Sequence, residues 1–146
     1  MTVEALLERQ SGDLFSVSED KKMCECVGEM NNKRVGALVV LNKEGKLSGI
    51  ISERDVLKLV HEKAGEMCSI PVKEVMTPRD KMIIAEKEEN IADLMDKMMK
   101  NSIRHIPILA GEQLIGVISI RDVVKMLLDN ALTENKQLKD YVYLSY

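Results

Sequence analysis

Aromatic side chains make up 3% of the 146 residues: there is no tryptophan, one phenylalanine (Phe15), and three tyrosines, Tyr141, Tyr143 and Tyr146, crowded at the end. Without interleaved aromatics there is no stacking platform for single-stranded nucleic acid. A net charge of −3 provides no basic field for non-specific binding either, so nucleic acid is not an expected partner. No apolar run approaches the roughly 18 residues of a membrane span. The opening MTVEALLERQ carries acids early and lacks the apolar stretch of a secretory leader. Membrane insertion is therefore not expected, and the cytoplasm is the default compartment. Cysteine is scarce, with only Cys24, Cys26 and Cys68. An odd, sparse set argues for a reducing setting and against a disulfide framework. Cys24-x-Cys26 is too short for a zinc site and reads as packed or surface thiols, so no metal is expected.

What the chain does have is an aliphatic, methionine-rich composition: 45% hydrophobic, ten Met, 31% charged. Such a chain buries a core and is not disordered. It also contains a repeat. LSGIISERDVLK (Leu47–Lys58) and LIGVISIRDVVK (Leu114–Lys125) are identical at eight of twelve positions at an offset of 67. Upstream, Met30–Leu41 and Met98–Leu109 keep the same apolar pattern at an offset of 68. The one-residue difference falls in a turn, NKEG against AGE, where length changes are tolerated.

Each copy has one element order. Glu19–Met30 and Glu89–Lys100 read as amphipathic helices, the latter with a stripe of Ile91, Leu94, Met95, Met98 and Met99. The runs Ala37–Leu41 and Leu47–Ser52, and again Ile106–Leu109 and Leu114–Ser119, read as hairpins. Short strands, Leu14–Val17 and Met82–Ala85, come first, and second helices start near Arg54 and Arg121. The expected class is α/β (α+β): two β-α-β-β-α units over residues 11–66 and 81–128, a linker over 67–80 holding Pro71 and Pro78, and a C-terminal helix or tail over 129–146. Units of about 60 residues bury too little surface alone. They are expected to pack sheet to sheet about a pseudo-twofold axis, leaving two equivalent clefts.

G-I-I-S-E-R-D (Gly49–Asp55), G-V-I-S-I-R-D (Gly116–Asp122), V-M-T-P (Val75–Pro78) and R-H-I-P-I (Arg104–Ile108) together resemble the cystathionine-β-synthase (CBS) domain family, arranged as a tandem pair over residues 11–128. The resemblance implies a pseudo-symmetric disc, often a homodimer. It implies clefts that take adenosine-containing ligands (AMP, ADP, ATP or S-adenosylmethionine), with no cofactor required. It also implies a role as a regulatory, energy-sensing module for an enzyme or transporter.

The residues support such chemistry. Ser-x-x-Asp at a strand-to-helix junction sets a hydroxyl and a helix N-terminus beside a carboxylate: phosphate donors next to an acceptor pair suited to a ribose diol. Arg54 and Arg121 add charge for phosphate. The same spacing is also a capping box, with the acid reaching back to its own helix end, and both readings stand. One candidate cleft joins Ser52, Arg54 and Asp55 to Thr77, Pro78, Met82, Ile103 and Arg104 of the second unit. The other joins Ser119, Arg121, Asp122 and His105 to Leu14, Val35 and Gly36 of the first. The segment before Leu14 has no V-M-T-P counterpart, which leaves the adenine wall of the second cleft open, while His105 strengthens its phosphate end. There is no Gly-x-x-x-x-Gly-Lys, no metal box and no nucleophile–base set, so catalysis is not expected. The alternative to a ligand sensor is an interaction module with empty clefts. The Tyr-rich tail is a candidate for dimer or partner contact.

Overall fold

The computed structural model describes residues 1–10 and 14–144. The expected start of the first repeat at residue 11, and Ser145 and Tyr146 of the tail, lie outside the described residues. The first half contains β1 (Ser16–Ser18), α2 (Met23–Lys33), β2 (Ala37–Leu41), β3 (Leu47–Ser52) and α3 (Glu53–Lys63), preceded by α1 (Val3–Arg9). After a two-residue strand β4 (Thr77–Pro78), the second half runs β5 (Ala85–Glu86), α4 (Ile91–Lys100), β6 (His105–Ala110), β7 (Gln113–Ser119) and α5 (Ile120–Leu144). Three 3₁₀ turns, Ala64–Ser69, Val72–Glu74 and Arg79–Lys81, lie between the halves. The β-α-β-β-α order holds in both.

One sheet is ordered β1-β2-β3-β4 and the other β5-β6-β7; β1 and β5 join parallel and the hairpins are antiparallel. The hairpin turns use left-handed glycines, Gly45 (φ 77°) and Gly111 (φ 63°), a conformation open to glycine without a steric penalty. Equivalent irregularities at Val40/Leu41 and Ile108/Leu109 confirm the 68-residue register.

Side chains alternate across a strand, so each sheet has two buried destinations. Leu38, Val40 and Ile51 enter a first core with Met23, Cys26 and Met30 of α2. Ile106, Ile108 and Ile118 enter a second with Leu94 and Met98 of α4. Val39 and Leu109, each 1% exposed, belong to neither core. Val39 instead turns to the cleft that it shares with Ile115 and Val117 of β7.

Several expectations need correction. Helix α2 begins at Met23, because residues 19–22 form a turn closed by Lys21 N–H donating to Ser18 O at 3.0 Å. Met99 falls outside the buried stripe of α4 and is 71% exposed. The stretch read as a linker is packed structure. Val72 is fully buried in the first core, and backbone bonds Met23 N to Ile70 O (2.9 Å) and Val72 N to Lys21 O (2.8 Å) stitch it to α2. Helix α1, not foreseen, does the same for the other half. Val3 and Leu6 sit in the second core, with Val3 N donating to Glu89 O (2.8 Å) and Ile91 N to Met1 O (3.1 Å). The expected C-terminal helix is the continuation of α5, which runs unbroken to Leu144. Finally, Cys24 and Cys68 form a disulfide, overturning the expectation of free thiols there and removing the premise for a reducing compartment. The 3₁₀ turn holding Cys68 packs on α2 and brings the two together, a proximity no cysteine count contains. Cys26 is a buried free thiol, raised in pKa chiefly by desolvation.

Candidate functional site

A cleft of about 900 Å³ lies between the halves at the junction of β7 and α5. Its walls begin with backbone pairing. Residue 105 opens β6 opposite Ser119, the last residue of β7, and Ile120 N donates to Arg104 O at 2.8 Å. Arg104, His105, Ser119, Arg121 and Asp122 are thereby gathered at one strand-to-helix corner. The first half repeats the design: Ala37 pairs Ser52, and Glu53 N donates to Gly36 O at 3.0 Å.

At the corner, Asp122 Oδ2 accepts from Ser119 N–H (2.8 Å) and from the Ser119 hydroxyl (2.6 Å), while Asp122 N lies 3.3 Å from Ser119 Oγ. Asp55 Oδ2 accepts likewise from Ser52 N–H (2.9 Å) and its hydroxyl (3.0 Å). The capping geometry is therefore present at both. In each aspartate the other oxygen, Oδ1, accepts no hydrogen bond among the described residues. Capping uses one oxygen and leaves the second for another donor.

His105 leans toward the first half. A Cβ placed on Gly36 would stand 3.1 Å from His105 Cε1 and 3.2 Å from Glu53 Oε1, so the missing side chain at 36 leaves room for both imidazole and carboxylate over the backbone there. Burial pushes the His105 imidazole below its ordinary value of 6.5. Glu53 and Asp122 oppose that shift and Arg104 adds to it.

The rim is rich in cations. Arg9, Arg34, Arg104, Arg121 and Lys125 line the cleft against three carboxylates, Glu53, Asp122 and Asp129. Among the described residues none of these five cations is in an ion pair. In a chain of net charge −3 this is a local inversion of sign. Clustered unpaired cations above an aliphatic floor of Val39, Ile50 and Val117 suit an anion attached to a flat apolar group.

Of the residues singled out in the sequence, Leu14, Val35, Gly36, His105, Ser119, Arg121 and Asp122 line this cleft together. Arg104, expected beside Asp55, lines it too. Ser52, Arg54, Asp55, Thr77, Pro78, Met82 and Ile103 do not. Arg54 Nη1 donates to Ser102 O at 2.7 Å, Thr77 and Pro78 pair with Ile50 and Gly49, Met82 is buried, and Ile103 packs on the second core. The wall that lacked a V-M-T-P counterpart is built by α1 and the residue after it: Leu7, Arg9 and Gln10. Leu7 covers Gly116 as Met76 covers Gly49, so helix stands where the other half has β4. The sequence signal was there: Thr2 caps a helix (Ala5 N to Thr2 Oγ1, 3.3 Å) whose Val3, Leu6 and Leu7 share one face. Glu53, Arg34, Lys125 and Asp129 were also missed. Lys125 and Asp129 lie one and two turns beyond Arg121 on the same helix face.

Residues 4–62 and 72–129 both match the CBS domain. The chain is 33% identical over 137 residues to the mitochondrial CBS domain-containing protein CBSX3 of Arabidopsis thaliana, covering 92% of this chain and 66% of that protein's length. A crystal structure of a CBS-domain containing protein from Agrobacterium tumefaciens superposes with a TM-score of 0.80 at 31% identity, over 85% of this chain and 91% of the other. A CBS domain protein from Pyrobaculum aerophilum, solved in complex with AMP, shares the fold at a TM-score of 0.73 and 23% identity, over 84% and 89%.

Proposed function

The chain belongs to the CBS-domain family as a tandem pair, and on that footing we propose that it is a regulatory module that binds a phosphate-bearing adenosine nucleotide in the Asp122 cleft. The observation that carries the proposal is the gathering of five cations, in no ion pair among the described residues, around a carboxylate whose Oδ1 accepts no hydrogen bond among them. The cations face phosphate, and Asp122 Oδ1 accepts from the ribose hydroxyls. The adenine lies against Leu7, Leu14 and Val35. A volume of about 900 Å³ is at the upper end of small-ligand pockets, roughly 300–1,000 Å³. The same charge disfavours the sulfonium of S-adenosylmethionine, so AMP, ADP and ATP are the stronger candidates. The AMP bound by the Pyrobaculum relative agrees in chemical class. Ser52 and Asp55, with Arg54 tied to Ser102 O, form a second, weaker site. No step of this reading requires catalysis; the output passes to a regulated enzyme or transporter.

Melting temperature is to be followed while AMP, ADP, ATP and S-adenosylmethionine are titrated. A concentration-dependent rise without turnover is expected for the nucleotides. Asp122→Ala removes a charged acceptor, worth roughly 1.5–3 kcal/mol per hydrogen bond. It should weaken binding about ten- to a hundredfold. It should also abolish discrimination against the 2′-deoxy nucleotide, while Asp55→Ala keeps it. No shift with any ligand would favour the other reading, an interaction module with empty clefts.

A further inference from the structure

We propose that α5 joins two copies of this chain as a parallel, two-stranded coiled coil, a reading independent of what the cleft binds. Residues 131–144 of the helix are exposed throughout, and an isolated helical segment of that length is marginal in water. Its apolar residues are not scattered. Val124, Leu128, Ala131, Asn135, Leu138 and Val142 alternate at spacings of four and three, the seam of a two-stranded coil. Val124, Leu128, Leu138 and Val142 are each more than half exposed. The seam is roughly 27 Å long at 1.5 Å per residue. Val123 and Met126, which anchor α5 in the second core, lie on the other side of the helix, so docking the halves leaves the seam outward.

Two features commit this seam to a second copy of the same chain in parallel register. Asn135 is its one polar member, set at the position equivalent to Leu128 and Val142. A parallel pair about a twofold axis brings Asn135 against its own counterpart, where two amides satisfy each other; in any offset register the amide would be buried against an apolar side chain. Flanking the seam, Glu134 and Lys139 occupy the two positions that face one another across a parallel pair, so each dimer gains two opposite-charge contacts by symmetry. One heptad earlier the same flanking positions hold Leu127 and Leu132, both exposed, which widen the apolar strip.

The test is sedimentation of the full-length chain at about 50 µM, where a micromolar association is saturated. The expected result is a dimer. Leu138→Asp should give monomer, raising the dissociation constant about a hundredfold or more. Its circular dichroism melt should keep the core transition, because residue 138 lies outside both cores. Glu134→Lys alone and Lys139→Glu alone should each weaken the dimer several-fold, and the double variant should restore it. Asn135→Leu should tighten association and admit larger species. A wild-type monomer at that concentration, or a dimer that Leu138→Asp leaves intact, overturns the coil. Failure of the double charge swap to restore association overturns the parallel register.

Discussion

His105 and the two repeat glycines respond to single-atom changes. Burial holds the His105 imidazole below 6.5 in the folded chain, against the opposing pull of Glu53 and Asp122. Between that lowered value and 6.5 the unfolded chain carries a proton that the folded chain does not. Stability therefore rises with pH across the window and falls as pH drops through it. His105→Asn should flatten this part of the melting-temperature profile below pH 6.5; an unchanged slope would assign the dependence elsewhere. In the proposed complex a nucleotide phosphate beside the ring would favour the imidazolium, so binding should take up a fraction of a proton near neutrality. Calorimetry in buffers of different ionisation enthalpy measures that uptake. Gly49 and Gly116 look alike in sequence yet differ here. A Cβ at 49 would stand 2.5 Å from Thr77 O, a backbone atom, whereas at 116 it would meet the terminal Cδ2 of Leu7 at 2.7 Å. A side-chain tip can rotate away and a backbone carbonyl cannot. Gly116→Ala should cost about 1–3 kcal/mol of stability, and Gly49→Ala more, detectable as the larger fall in denaturation midpoint.

At the scale of elements, the Cys24–Cys68 bridge fastens the Ala64–Ser69 turn to α2 across a separation of 44 residues. The chain-entropy relation gives about 4 kcal/mol for a loop of that size. Dithiothreitol should therefore lower the melting temperature of the wild type and leave that of Cys68→Ser unmoved. The same elements show what a sequence can and cannot convey. The strands Ala37–Leu41 and Leu47–Ser52 are legible to the residue because two short apolar runs around a Gly turn define a hairpin locally. The doubled Ser-x-x-Asp located the helix starts and the Asp122 corner for the same reason. What stayed hidden was set by distant packing: the burial of Val72 under α2, the disulfide, and the use of α1 to build the far wall of the cleft. Arg104, expected beside Asp55, lines the Asp122 cleft as well, because an exposed residue just before a strand carries no periodic signal of the side it takes.

The whole molecule is interlocked. The segment that precedes the first half in sequence completes the core of the second, and the segment that precedes the second completes the core of the first. Neither half therefore holds a full core by itself. Val3→Asp, placed in the second core, should lower the unfolding midpoint of the entire chain in one transition. Two separate transitions in denaturant would show the halves to be energetically independent. Helix α5 links the cleft to an exposed end. Its first turn carries Asp122 at the cleft, and its last residues project beyond both cores. Twenty-five residues in one unbroken helix form a rod of roughly 37 Å at 1.5 Å per residue. Pivoted at the cleft, such a rod is a lever: a tilt of about 5° at the Asp122 end swings the far end by roughly 3 Å over that length. A displacement too small to open a cleft is in this way large enough to break the register of side chains packed against the tip.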